Sequence, residues 1–109
     1  MWVFTETGFV SAVVHRDDPD ILIVRSRDRQ SIEPLALLVD TEIVTGAGTD
    51  YPHRITCSRD QFTQWAGQNI ASMSYGNFKS RVTQTRGHDF AHALMDVWSA
   101  MCQVEDVRW

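Results

Sequence analysis

The sequence lacks the features that mark several large classes of protein. It has two cysteines in 109 residues, which is too few for a disulfide framework. No apolar run reaches the roughly 18 residues of a transmembrane helix, and the first residues do not show the basic start and apolar stretch of a signal peptide. We therefore expect a cytoplasmic protein without a membrane segment. We also expect Cys57 and Cys102 to be reduced, buried thiols.

Motifs for catalysis and for ligand binding are also missing. The segment Gly46-Ala47-Gly48 lacks the Lys and Ser/Thr of a phosphate loop, and the chain has no nucleophile elbow and no Cys-x-x-Cys pair. His53 and Cys57 lie four residues apart on one predicted strand, roughly 13 Å, which is too far for a thiol–imidazole pair. The sequence thus predicts no cofactor and favours a non-enzymatic function, while enzyme activity stays open.

Basic residues are scarce relative to acidic ones. Ten Lys and Arg against fourteen Asp and Glu give a net charge of −4, and Lys79 is the single lysine. This balance weighs against a dedicated nucleic-acid binder, whose affinity depends on neutralising phosphates. Four Trp and five Phe are many for this length, and large aromatic side chains contribute strongly to small cores and to interfaces.

Hydrophobic spacing changes near Ser58. Before it, short β-rich runs alternate with turn signals, and after it apolar residues recur at helical spacing. The pattern predicts one α+β domain over residues 1–109, with the order β-β-α-β-β-α-α-α. About four mostly antiparallel strands are packed on one face by three to four helices, and the longest helix is C-terminal.

Several local signals place these elements. Strands are predicted at 2–4, joined through a turn or bulge at Thr7-Gly8 to 9–14, and at 21–27, 41–45 and 51–57. Ser31 is the expected N-cap of the first helix, and Ser58 with Gln61 matches a capping box. The predicted core contains Phe9, Val13, Leu22, Val24, Ile55, Phe62, Ile70, Phe78, Leu94, Val97 and Trp98.

A first candidate is a metal-binding site on the last helix. His88, His92 and Asp96 are spaced i, i+4, i+8, so they share one face of the last helix. Two His at this spacing suit zinc, with Asp96 as a further ligand and His53 supplied from the sheet. Asp89 stands where a zinc hydrolase has its general-base Glu. The alternative is an ordinary solvated face of the helix.

A second candidate site is cationic. Arg25 and Arg27 project from the same face of a predicted strand, and with Arg54 and Arg59 they are candidates for a patch that binds an anion or a nucleic acid. The alternative is an exposed sheet face or edge on which charge prevents aggregation. Trp2, Tyr75 and Trp109 are candidate interface residues.

The chain also resembles a known family over nearly its full length. The elements that carry the resemblance are Trp2-x-Phe4-Thr5, Gly8-Phe9-x-Ser11, Asp50-Tyr51-Pro52-x-Arg54, Tyr75-Gly76-Asn77-Phe78-Lys79 and Val97-Trp98-Ser99. They are similar to small uncharacterised proteins of actinobacteria and other bacteria, which their phages also carry. The resemblance implies a single compact domain and a phage or bacterial accessory role, and it implies no activity, cofactor or functional residue.

These observations favour an interaction module that binds a protein partner, associates with itself, or does both. Self-association would use an uncovered sheet edge or the aromatic chain ends. A metal-binding protein or metal-dependent enzyme using the helix histidines is the first alternative. Nucleic-acid binding through the arginines is the second alternative, and the net charge disfavours it.

Overall fold

The structure is a computed structural model that describes residues 1–46 and 50–107. The chain forms two compact units, Met1–Ser74 and Tyr75–Trp109. The first unit holds a sheet and two helices, and the second holds two further helices. The α+β class is confirmed, as are the antiparallel sheet and the C-terminal position of the longest helix. That residues 1–109 act as a single domain stays a prediction.

The sheet contains five strands. About four were predicted, because residues 2–4 and 9–14 were joined through a turn or bulge and they instead form two strands. The five strands are β1 (Trp2–Thr5), β2 (Gly8–Val14), β3 (Ile21–Ser26), β4 (Val44–Thr45) and β5 (His53–Ser58), in the spatial order β1-β2-β3-β5-β4. The extra strand arises because residues 6–7 form a tight turn. The chain therefore folds back, and Thr5 comes to lie opposite Gly8. Every pairing is antiparallel. Short connections join β1 to β2, β2 to β3 and β4 to β5, whereas α1 and β4 lie between β3 and β5 in the sequence.

Two helices of the first unit, α1 (Arg29–Val39) and α2 (Arg59–Ala71), cover one face of this sheet. Ala12 lies opposite Val24, and Val24 lies opposite Ile55, so these buried residues project from the same face. Together with helix residues they form the core: Val10, Ala12, Val24, Ile55 and Cys57 from strands, and Ile32, Leu35, Ala36, Phe62 and Trp65 from α1 and α2. The opposite face, here called the open face, carries no helix of this unit within the described residues.

Local capping signals explain how the helices begin. The Ser58 side chain accepts a hydrogen bond from the Gln61 N–H at 3.1 Å, and the Gln61 side chain accepts one from the Ser58 N–H at 2.8 Å, so the predicted capping box is confirmed. Helix α1 begins earlier than predicted, with Asp28 as its N-cap. Ser31 is instead buried inside α1, where its hydroxyl accepts a hydrogen bond from the Phe9 N–H at 3.1 Å.

The second unit is a pair of helices, α3 (Phe78–Arg86) and α4 (His88–Met101), and a 3₁₀ turn (Cys102–Val104) follows α4. The Asn77 side chain caps α3 by accepting from the Ser80 N–H at 2.9 Å. Gly87, at φ 87°, joins the two helices. Val82 and Ala91 are the buried apolar residues of these helices. α3 has 9 residues and α4 has 14, so the C-terminal turns of α4 extend beyond the length that α3 can cover.

The predicted core is correct in part. Val24, Ile55 and Phe62 are buried, whereas Phe9, Leu22, Phe78 and Leu94 are half-buried. The prediction is wrong for four residues, because Val13, Ile70, Val97 and Trp98 are exposed, Ile70 at 70% and Trp98 at 65%. Helical spacing shows which residues share a face, but it does not show whether another element covers that face.

Candidate functional site

One row of side chains crosses all five strands on the open face. Trp2 lies opposite Ser11, Ser11 opposite Arg25, Arg25 opposite Arg54, and Arg54 opposite Val44. Residues paired in this way project to the same side of the sheet. Register therefore brings an exposed tryptophan and two arginines into one line, although they are up to 52 positions apart in the sequence.

The centre of this row is strongly cationic. The guanidinium carbons of Arg25 and Arg27 stand 4.6 Å and 4.3 Å from the centroid of the Tyr51 ring, which is buried. Such distances give favourable cation–π contacts. Arg27 also forms an ion pair with Asp50, with 3.1 Å between Nη1 and Oδ1. These residues with Arg54 are here called the Arg–Tyr cluster: Arg25, Arg27, Asp50, Tyr51 and Arg54.

The Arg–Tyr cluster has unused hydrogen-bonding capacity. Arg25 donates from Nη2 to the Ser11 hydroxyl at 3.0 Å. Within the described residues, however, the Nε atoms of Arg25 and Arg54 are buried and have no hydrogen-bond partner. Like charges directly opposite on neighbouring strands are destabilising, and an unsatisfied buried donor adds to the cost. An anionic group placed beside these two arginines would therefore relieve the repulsion between their charges.

An aromatic group lies beside the Arg–Tyr cluster. Phe4 and Phe9, opposite each other on β1 and β2, stack with centroids 4.6 Å apart and planes 20° apart. Trp2 meets Phe9 edge to face at 5.7 Å and is 66% exposed. We call Trp2, Phe4 and Phe9 the aromatic corner. Aromatic side chains and arginines together are the residue types that contribute most to protein interfaces.

The structure brings together three of the four predicted patch arginines. Arg54 lies near the start of β5 and pairs with Arg25, whereas Arg59 follows the other end of that strand. Arg59 donates from Nε to the Pro19 carbonyl at 2.7 Å and does not belong to the cluster. The Tyr51 ring meets Arg25 and Arg27, although Tyr51 was predicted to be part of the strand that carries Ile55. Pro52 precedes β5, so strand alternation does not extend back to Tyr51.

The predicted metal ligands all lie on an exposed surface of α4. His88, His92 and Asp96 are solvent-exposed. His53 is on the sheet, where its Nδ1 is 3.1 Å from the Thr45 hydroxyl. In residues 1–46 and 50–107, no three His, Cys, Asp or Glu side chains are grouped so that they could hold a metal ion. No geometry of the described residues therefore supports the metal hypothesis.

The cysteines differ in environment. Cys57 is 4% exposed within the core, as predicted, and burial raises the pKa of its thiol. A raised pKa keeps the thiol protonated at neutral pH, which makes Cys57 a poor nucleophile. Cys102 is only half-buried, contrary to the prediction, and its thiol donates to the Trp98 carbonyl at 3.6 Å. Both are free cysteines.

The remaining interface candidates have separate positions. Trp2 belongs to the aromatic corner. Tyr75 is half-buried in the second unit and contacts Phe78, with ring centroids 5.6 Å apart. Trp109 lies outside the described residues. The prediction from sequence missed Phe4 and Tyr51, and the i, i+2 spacing of Trp2 and Phe4 on one strand was the signal for the aromatic corner.

An open depression lies along α1 and the segment that follows it. It is lined by Arg29, Glu33, Ala36, Leu37, Asp40, Thr41, Glu42 and Ile43. Arg29 and Glu33 form an i, i+4 ion pair at 3.4 Å across it. The lining contains the carboxylates of Glu33, Asp40 and Glu42 and the Thr41 hydroxyl, but no Ser, Cys, His or Lys side chain.

Comparisons with known proteins add no assignment. No family model matches the chain, and no match is found among curated proteins or solved structures. Of the helices in the described residues, none is long and apolar enough to span a bilayer. The candidate site is therefore argued from its own geometry.

Proposed function

We propose that the protein is a non-enzymatic interaction module whose open face binds an acidic segment of a protein partner. The observation that supports this most directly is the pairing of Arg25 with Arg54, which places two positive charges directly opposite each other on the open face. Two guanidinium groups, those of Arg25 and Arg27, stand over the Tyr51 ring, and Asp50 forms an ion pair with Arg27. A carboxylate of the partner would bind the accessible side of the half-buried Arg25 and Arg54 side chains and neutralise the excess charge.

The aromatic corner supplies the apolar half of the same surface. Trp2 is two-thirds exposed, and Phe4 and Phe9 are half-buried beside it. An apolar side chain next to the acidic groups of the partner would cover these rings, and the stacked pair is already ordered before binding. The preferred ligand is therefore an acidic segment that also carries aromatic or aliphatic residues. The resemblance in the sequence favours a host protein as its source.

The test is selection of peptides from a random display library on the purified protein. We expect the selected peptides to be rich in Asp and Glu and to contain apolar residues. Their dissociation constants should rise at least about thirtyfold in Arg54→Glu, the effect of losing an interface hot spot. They should also rise in Phe4→Ala, and they should rise with salt because the contact is charged.

Arg16→Glu is the matched control. Arg16 is exposed in the turn between β2 and β3, and the substitution makes the same change of charge outside the site. Its affinity for the selected peptides should equal that of the native protein. Peptides without an acidic bias would contradict the proposal, as would equal effects of the Arg16 and Arg54 substitutions.

Single-stranded nucleic acid is a second candidate for the same surface. The observation that favours it is the stacked Phe4–Phe9 pair beside arginines, because bases stack on such rings while guanidinium groups bind phosphates. Labelled oligothymidine and oligouridine serve as probes. Salt-sensitive binding that Phe9→Ala abolishes, together with competition against the peptides, would make nucleic acid the natural ligand in place of a protein.

A further inference from the structure

A second surface lies on α4, in the second unit. Val97, Trp98, Met101 and Val104 are 38%, 65%, 59% and 71% exposed, and we call these four residues the α4 strip. They lie on α4 and on the 3₁₀ turn that follows it, beyond the length covered by the shorter α3. Four apolar side chains exposed next to each other on one helix face are unusual for a surface without a partner.

The spacing of the α4 strip suits packing against another helix. Leu94, Val97, Met101 and Val104 are separated by three, four and three residues, which is the spacing of a and d positions in paired helices. Ala93 and Ala100 border this line on one side, and both are exposed. Small side chains at the border let the backbones of two helices approach closely.

The distribution of charge indicates what the α4 strip binds. At 100° per residue, the charged and titratable side chains of α4 (His88, Asp89, His92 and Asp96) fall on the side away from the strip. The α4 part of the strip therefore carries no charge, and the exposed Glu105 and Asp106 follow the strip directly at its C-terminal end. Two antiparallel copies would meet without bringing these carboxylates together, so the surface is complementary to itself in that arrangement.

The exposed area of the α4 strip is consistent with the pairing of two copies. Its four residues expose on the order of 500 Å² together, so two copies would bury at most roughly 1,000 Å², the lower limit for a specific interface. We propose that the α4 strip binds the α4 strip of a second copy of this chain, which makes the protein a homodimer. A dimer would contain two open faces, one in each copy. The dimer proposal does not depend on the proposed function of the open face.

Sedimentation velocity of the full chain over a wide range of concentration tests the dimer. We expect a dimer that dissociates on dilution. Met101→Glu and Trp98→Ala should each raise the dimer dissociation constant at least about thirtyfold, because each removes a central side chain of the interface. Circular dichroism of each variant shows whether the helices are retained, and Trp98→Ala provides the test if Met101→Glu fails to fold.

Ser99→Glu is the matched control, because it adds the same charge to an exposed position on the opposite side of α4. It should leave the dimer dissociation constant unchanged. A native chain that is monomeric at every concentration would overturn the proposal and leave a different protein, or the chain itself, as the occupant of the strip. A dimer that survives both Met101→Glu and Trp98→Ala would overturn it as well. Arg54→Glu should leave the dimer intact, so this result is separate from the peptide experiment.

Discussion

At the scale of single residues, the tightest constraint in the first unit is the contact between β2 and α1 at Gly8. A Cβ atom on Gly8 would lie 2.3 Å from the Ser31 hydroxyl and 2.6 Å from the Ser31 Cα. The same hydroxyl accepts the Phe9 N–H and donates to the Asp28 carboxylate. Gly8 was expected at a turn or bulge, but its role is to let the backbone of α1 approach the sheet.

Gly8→Ala should therefore lower the free energy of unfolding by about 1–3 kcal/mol, because α1 must move away from β2. Chemical denaturation measures the change. Gly67→Ala is the matched control, since nothing lies within 4 Å of a Cβ at Gly67 in the interior of α2. It should raise the stability by up to about 1 kcal/mol through helix propensity. Equal losses in the two variants would contradict the close contact at Gly8.

At the scale of the secondary-structure element, the C-terminus of α1 contains a local conflict. Asp40 adopts the left-handed conformation, φ 52° and ψ 55°, which is unfavourable for most residues. The Thr41 N–H donates to the Ala36 carbonyl at 3.1 Å, which completes a Schellman-type end of the helix. The Asp40 carboxylate also lies at the negative end of the helix dipole, so its charge opposes the helix that it terminates.

Asp40→Asn should stabilise the protein by about 0.3–1 kcal/mol, because Asn tolerates the left-handed conformation and removes the opposing charge. The change is measured as the difference in unfolding free energy at low salt. Asp17→Asn, in the exposed turn between β2 and β3, makes the same chemical change away from a helix end. It should leave the stability within about 0.5 kcal/mol of the native value, and a gain as large as that at Asp40 would refute the helix-end explanation.

At the scale of the whole molecule, the tryptophans separate core from surface. Trp65 is 4% exposed in the core of the first unit, where it contacts Phe62 with ring centroids 5.4 Å apart. Trp98 is 65% exposed on the α4 strip. The two residues occupy equivalent positions in the sequence pattern, since each lies on the apolar stripe of an amphipathic helix. Only their surroundings in the folded chain make Trp65 buried and Trp98 exposed.

Trp65→Ala should lower the free energy of unfolding by about 3–5 kcal/mol, the usual cost of truncating a buried aromatic residue. Trp98→Ala should lower it by less than about 1 kcal/mol when measured at protein concentrations where the chain is monomeric. Both values come from denaturant unfolding of each variant and the native chain in the same buffer and at the same dilute protein concentration. A large loss at Trp98 under dilute conditions would place this side chain inside the fold and remove the basis of the α4 strip.

The sequence by itself determines the elements whose signals are local. The capping box at Ser58 and Gln61 starts α2, the i, i+4 apolar spacing predicts α4, and the β-rich run from Ile21 predicts β3. These features depend on neighbouring residues along the chain, so a single sequence contains the information needed to predict them.

Only the tertiary structure decides the contacts between residues that are distant in the sequence. Strand register places Arg25 opposite Arg54 and excludes Arg59, and it brings Trp2, Phe4 and Phe9 beside the arginines. The 9-residue length of α3 leaves the end of α4 uncovered, so Trp98 is exposed although its spacing predicts burial. The physical reason is that periodicity fixes which residues share a face, whereas register and the lengths of packed elements determine what meets that face.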